Sequence, residues 1–341
     1  MRFDAPPTPN YTWTAMRSNS LRHLAAGIAA VALSWAGVAA DASAAKCLYL
    51  SSYHKGYEWN DGIERGLDAA LQGKCEVDKF YLDTNRHQDE AYAETIARAA
   101  KAHIEATKPD VVIACDDNAS KYVVKPYYKD AALPIVFCGI NWSVEPYGYP
   151  YSNVTGMIEI SPIKPLIKSI KEILKKIKRG AYLGPDVISQ HKEFELNRQV
   201  YAKEGIVITP IFVKTMEEWE AGYKKAQRAD FVVVGNNGSL DDWDQDRARR
   251  YALAHAKTLT VTNYDWMVDT AMLAVTKVAE EQGEWAAEAA LAILGGMKPG
   301  QIPIVPNRRW NLFVNPALLD KAGIRLPTRL MHQAVKTGDA G

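Results

Sequence analysis

The chain carries one winding pattern twice. Ala106-Thr-Lys-Pro-Asp110, an apolar run and Asp116-Asp117 in the first half are matched by Ala226-Gln-Arg-Ala-Asp230, an apolar run and Asn236-Asn237 in the second. Cys138-Gly-Ile-Asn141-Trp142 is matched by Thr262-Asn-Tyr-Asp265-Trp266, and Lys46-Cys-Leu-Tyr49-Leu50 by Arg179-Gly-Ala-Tyr182-Leu183. Three matches in one order argue for two similarly built halves. Within each half, short uncharged apolar runs alternate with amphipathic stretches at intervals of about thirty residues. That rhythm is the signature of βαβ units around a parallel sheet covered on both faces. The expected fold class is α/β, with two doubly wound parallel-sheet lobes.

In the first half, strands are expected at residues 47–51, 77–82, 110–115 and 134–139, with a helix over 89–106. A further helix is expected to start at Asp61, because Asp61 and Glu64 have capping-box spacing and Ile63, Leu67 and Leu71 recur at helical intervals behind them. In the second half, strands are expected at 181–184, 206–213, 231–235 and 259–263, and helices at 190–203, 216–228 and 241–256. Three extended passages, at 154–157, 271–278 and 302–314, join the halves and would form a hinge. Residues 283–295 form an Ala-rich helix whose small-residue face suits close packing against a sheet. The expected division is lobe 1 over 46–153 plus 275–308, lobe 2 over 154–274 plus 309–332, and a disordered tail at 333–341.

From Met16 the chain reads Arg17, Arg22 and His23, then an apolar run over 24–40, then Ala42-Ser43-Ala44. This is the order of a secretory signal cleaved after Ala44 or Ala45, so residues 1–45 are assigned to a signal with a spurious extension ahead of Met16. Beyond it no uninterrupted apolar span occurs, and the mature protein is expected to be soluble and periplasmic. Loss of residues 1–45 removes three Arg and two Asp, leaving 38 basic and 38 acidic residues. A neutral chain gives no electrostatic case for nucleic acid. Of the four cysteines, Cys47 and Cys75 are expected to pair at the amino ends of neighbouring strands, and Cys115 and Cys138 to be buried small hydrophobes.

Ligands of open α/β sheets bind beyond the carboxyl ends of the strands. The turn after the first strand, with Ser52, Tyr53, Tyr57 and Trp59, is too polar and aromatic for a plain connection. With the halves related by pseudo-two-fold rotation, Asp116-Asp117 would face Asn236-Asn237, and Asn141-Trp142 would face Asp265-Trp266. Gly184 completes the candidate set. Two opposed indoles would sandwich a planar or sugar-like solute, and Asp116 would take a ligand ammonium or hydroxyl. Competing structural roles are hinge packing for the tryptophans, helix capping for Asp117 or Asn118, and capping by Asn236, Asn237, Gly238 or Ser239. No metal set, cofactor fingerprint or nucleophile elbow is present, so no cofactor is expected, and His54 is expected to hydrogen-bond or lie at the surface. Tyr147-Gly-Tyr149-Pro-Tyr151 would rim the cleft or cover the crossing strands.

These residues together resemble the ABC-transporter substrate-binding family of the type I periplasmic binding proteins. The likeness rests on Ser52-Tyr53-His54-Lys55-Gly56-Tyr57-Glu58-Trp59, Cys115-Asp116-Asp117-Asn118-Ala119, Asn153-Val154-Thr155-Gly156, Gln282-Gly283 with the Ala286-Ala287 helix, Ile302-Pro303-Ile304, and Ala322-Gly323-Ile324-Arg325-Leu326-Pro327. It implies a two-lobed, hinged carrier that closes on a small solute, acts as a monomer without chemistry, and hands its cargo to an ABC permease in the inner membrane. The aromatic strand ends add a bias toward an aromatic, heterocyclic or sugar-like solute. Two other functions fit the same winding: a ligand-binding receptor subunit of a periplasmic sensory system, and a secreted α/β hydrolase using His54 with Asp116.

Overall fold

The computed structural model describes residues 44–237, 240 and 242–337. Residues 1–43 of the signal expected over 1–45, and the capping roles weighed for Gly238 and Ser239, lie outside the described residues. The chain order is β1 (Lys46–Ser51), α1 (Glu58–Leu71), β2 (Glu76–Tyr81), α2 (Glu90–Thr107), β3 (Val111–Cys115) and α3 (Asp116–Ala119), which continues through a π-helical turn into α4 (Lys125–Tyr127). There follow β4 (Ile135–Asn141), β5 (Val154–Glu159), α5 (Ile163–Ile173), β6 (Arg179–Pro185), α6 (Ile188–Lys203), β7 (Val207–Val213), α7 (Met216–Ala226), β8 (Phe231–Val234), α8 (Gln245–His255) and β9 (Leu259–Thr262). A 3-10 turn (Asp265–Thr270) leads to β10 (Leu273–Lys277), α9 (Ala279–Leu294), β11 (Val305–Pro306), β12 (Trp310–Val314), α10 (Pro316–Ala322), α11 (Thr328–Gln333) and β13 (Val335–Lys336).

Two sheets result. The first has the order β11-β5-β4-β3-β1-β2 and is parallel throughout. The second has the order β13-β12-β10-β9-β8-β6-β7, with one antiparallel pair, β10 with β12. Every residue of Val111–Cys115 and Phe231–Val234 is buried, as strands covered on both faces must be. Alternate residues serve opposite layers. Leu48, Leu50, Val112 and Phe137 pack with Ala97, Ile104 and Tyr149, while Cys47, Tyr49, Ile113 and Val136 pack with Ile63, Leu67, Ala286 and Ala290. The second sheet is enclosed by Ile167 and Ile170 of α5, Trp219 and Tyr223 of α7, and Ala248 and Ala252 of α8.

The sequence expectations need adjustment at several points. Val154–Glu159, expected to open the second lobe, hydrogen-bonds beside β4 in the first sheet, so the first crossing falls between β5 and α5. A Cβ at Gly156 would stand 2.3 Å from the Phe137 carbonyl oxygen, so the close approach of β4 and β5 requires glycine there. Similarly, β10 runs to Lys277 in the second sheet before α9 returns to cover the first. Helix α1 starts at Glu58, a turn ahead of Asp61, and the Asp61 carboxylate turns back to accept the Gly56 N–H (3.1 Å) instead of capping. The tail is not wholly irregular, since Val335–Lys336 pairs with β12. Cys47 is bonded to Cys75, with a Cα–Cα distance of 6.0 Å. Cys115 and Cys138 are also bonded, with Cα atoms 4.6 Å apart, correcting their reading as separate hydrophobes. They are register partners on neighbouring parallel strands, which brings the two thiols side by side.

Helices α1 and α9 meet almost backbone to backbone. A Cβ at Gly66 would lie 2.2 Å from the Glu280 carbonyl oxygen, and one at Gly283 would lie 1.9 Å from that of Ile63. The small residues of α9 thus serve a helix contact as well as the sheet contact expected of them.

Candidate ligand-binding cleft

A cavity of about 560 Å³ lies at the carboxyl ends of the strands, lined from both sheets. Tyr53, Tyr57, Trp59, Asp116, Asp117, Asn141, Trp142 and Glu159 come from the first sheet side, and Gln190, Glu193, Asn236, Asn263, Tyr264, Asp265, Trp266, Thr276 and Lys277 from the second, with Ser161 and Lys192 completing the wall. Ten of the thirteen residues expected at the site line this space; Ser52, Gly184 and Asn237 do not.

The floor is built around Asp116. It follows β3 directly, adopts a left-handed conformation (φ 70°), and is only 2% exposed. Asn60 Nδ2 donates to its Oδ2 (3.0 Å) and also to Ser51 Oγ (2.6 Å), fixing the carboxyl from α1. Burial holds the Asp116 carboxyl well above the usual carboxylate range. The nearby Glu159 carboxylate pushes the same way, and the Asn60 hydrogen bond pulls it back. On the other side, Gly139 occupies an irregularity in the β4–β5 register with φ 71°, and a Cβ there would stand 2.6 Å from Asp116 Oδ1. That irregularity re-aims the end of β4 so that Asn141 and Trp142 face the cavity.

Neither Asp117 nor Asn118 caps the helix that follows. Asp117 instead accepts from Asn141 Nδ2 (2.8 Å) and from the Tyr147 hydroxyl (2.6 Å), tying the rim to the buried Tyr147–Tyr151 loop. Asn118 donates to Thr84 Oγ1 (2.8 Å). The cap is supplied from another strand: Ser52 Oγ accepts the Ala119 N–H (2.8 Å) and donates to the Cys115 carbonyl (2.7 Å). Ser52 is therefore engaged in joining β1 to α3. Gly184 serves the site indirectly, since a Cβ there would press on Gln190 Oε1 at 3.1 Å. Asn237 accepts the Leu240 N–H through its carbonyl (3.0 Å).

The walls are aromatic. Tyr53 meets Tyr57 edge-on at 4.9 Å, and Tyr264 lies against Trp266 at 5.0 Å. Trp142, with φ 64°, packs partly on the second sheet's core, while Trp266 is 46% exposed at the mouth. Lys277 Nζ stands 4.8 Å from the centre of the Trp59 ring and forms an ion pair with Glu159. Burial works against the Lys277 ammonium, and Glu159 more than restores it, leaving its pKa above the ordinary value. Burial likewise raises Glu159, against the pull of Lys277. These directions favour a stronger base and a weaker acid respectively. The contact geometry decides for an ionised pair, because a neutral Glu159 would strip the largely buried ammonium of its counter-charge.

Sequence reasoning missed Glu159 and Lys277, although a signal was present: each is the charged residue that closes an otherwise uncharged buried strand, VTGMIE and LAVTK. Gln190 and Glu193 carried no comparable mark. His54 lies outside the cavity lining, with Nδ1 3.0 Å from Asn85 Oδ1, so the hydrolase pairing of His54 with Asp116 has no geometric basis. Among the described residues no group of His, Cys, Asp and Glu is arranged to hold a metal ion.

The family model for ABC transporter substrate binding proteins matches residues 54–338. The chain belongs to that family. No curated protein matches the sequence. Among solved structures, this substrate-binding protein is similar to a ligand-free, open substrate binding protein with adhesive properties from Clostridium difficile (TM-score 0.69, 14% identity, covering 86% of this chain and 99% of that one). It is also similar to an ABC domain in complex with L-Trp from Streptococcus pneumonia (TM-score 0.57, 16% identity, 85% and 99% covered). A third likeness is to a periplasmic ribose ABC transporter from Conexibacter woesei (TM-score 0.54, 15% identity, 85% and 96% covered). The fold is that of the type I periplasmic binding proteins. The family is a substrate-binding one, which implies a small-molecule ligand and a permease partner. Among the described residues no helix is long and apolar enough to cross a membrane.

Proposed function

We propose that this substrate-binding protein is the periplasmic, monomeric solute-capturing component of an ABC uptake transporter. It closes its two sheet-bearing lobes on one small solute, performs no chemistry on it, binds no nucleic acid, and delivers it to a permease in the inner membrane. The ligand contacts would come from Tyr53, Tyr57, Trp59, Asp116, Asp117, Asn141, Trp142, Asn236, Asp265 and Trp266. The observation that carries this reading is a cavity walled by strand ends of both sheets, so that an occupant touching both stabilises the closed arrangement by its differential affinity for it. The aromatic walls support a solute with a flat or apolar face.

Native mass spectrometry of the chain purified without denaturant, followed by calorimetric titration with the compound found, tests the reading. The expected result is one small molecule per chain, and at a hundredfold excess over Kd a stabilisation of about 2.7 kcal/mol. The reading fails if no compound is retained and no sugar, amino acid, amine or aromatic acid shifts the unfolding midpoint.

A further inference from the structure

Five carboxylates, Asp116, Asp117, Glu159, Glu193 and Asp265, face the cavity against two lysines. One lysine, Lys277, is already neutralised by Glu159. The other, Lys192, is exposed. Asp116 is held by the uncharged amide of Asn60, and Glu193, itself buried, by the uncharged amide of Asn197 (3.3 Å). The Lys277 ammonium acts on both only across space while it is paired with Glu159, so among the described residues these two buried carboxylates have neutral hydrogen-bond donors and no ion pair of their own, a desolvation cost that an opposite charge relieves. Around them stand aromatic faces, the surfaces that attract organic cations.

Resting on the carrier reading above, we infer that the solute is an organic cation, an amine or quaternary ammonium compound with an apolar or aromatic body and no carboxylate. A zwitterion would bring a carboxylate that finds no unpaired buried lysine or arginine among the described residues lining the cavity, since Lys277 is paired with Glu159. An anion would add to a like-charged site. The cationic head belongs against Asp116 and Glu193, and the body against Trp142 and Tyr264.

Titration calorimetry of the full chain with ring-matched probes decides it. The probes are phenethylamine, phenylalanine and 3-phenylpropanoate, together with tryptamine, tryptophan and indole-3-propionate. In at least one series the amine should bind tenfold or more tightly than the zwitterion, and the anion should give no heat. Asp116→Asn, and separately Glu193→Gln, should each weaken amine binding tenfold or more while the unfolding midpoint does not fall by more than a few degrees. Equal or tighter binding of a zwitterion or anion overturns the inference, as does amine affinity indifferent to both substitutions. If no probe binds, the compound retained on purification decides: a cation upholds the inference, whereas a neutral or anionic compound overturns it and leaves the carrier reading standing. No retained compound and no binding by any probe removes the inference, and the carrier reading falls with it when no sugar, amino acid or aromatic acid shifts the unfolding midpoint either.

Discussion

Asp116 shows what a single residue is asked to do at this site. Its left-handed backbone is tolerated by Asp and Asn better than by other side chains, and its carboxyl is buried beside a second carboxylate. Because its folded-state pKa is raised, its protonated form favours the native state. That contribution is fully present below the unfolded pKa of about 3.9 and is lost as pH rises through the raised folded value. Asp116→Asn keeps the shape and the φ preference and is uncharged at every pH. The variant should therefore gain stability relative to the parent as pH rises from about 4 toward 8, read as a growing difference in chemical-denaturation midpoint. A difference that stays flat with pH, or shrinks, would show that the carboxyl is not held up by burial. The position of Asp116 was legible in the sequence, since it directly follows an uncharged β-run. The place of Asp117 was equally legible but its partners were not: Asn141 and Tyr147 are 24 and 30 residues away and meet it only once β3 and β4 are in register.

At the scale of elements, the sequence carried the strands and most helices well, because uncharged runs such as VVIAC and FVVV admit few other environments. Helix starts were harder. The Asp61–Glu64 spacing is a true capping pattern, yet Asp61 bonds to the Gly56 N–H and the helix begins earlier. Cys115–Cys138 was equally hidden, since a bond between register partners is visible only after the register is known. The bond closes a loop with a separation of 23 residues, for which chain entropy gives about 3 kcal/mol. Replacing both cysteines by alanine should lower unfolding stability by roughly that amount and loosen the floor under Asp116, seen as weakened ligand binding. The α1–α9 contact makes a further demand. With 1.9 Å available to a Cβ at Gly283, Gly283→Ala must push the helices apart. The expected loss is roughly 1–3 kcal/mol in a denaturant titration.

For the whole molecule, the decisive pair is Glu159 with Lys277, 118 residues apart, at the ends of the two strands that lead from one sheet to the other. Lys277→Met would leave a buried carboxylate alone and should cost about 3–5 kcal/mol, with Glu159→Gln in the same chain recovering part of it. If the single variant unfolds like the parent, the pair is not a structural tie between the lobes. Recognition of two lobes came from the repeated winding, whereas the tie itself was illegible because its members belong to separate crossings. The return of α9 has one more consequence, and it concerns the order in which the protein is made. Strands β1 to β5 emerge from the ribosome long before the helix that covers one of their faces, which waits until the second sheet's central strands have been synthesised. A chain halted after Lys277 would leave the face carrying Tyr49, Ile113 and Val136 uncovered by α9, and such a fragment should bind a hydrophobic dye and aggregate where the full chain does not.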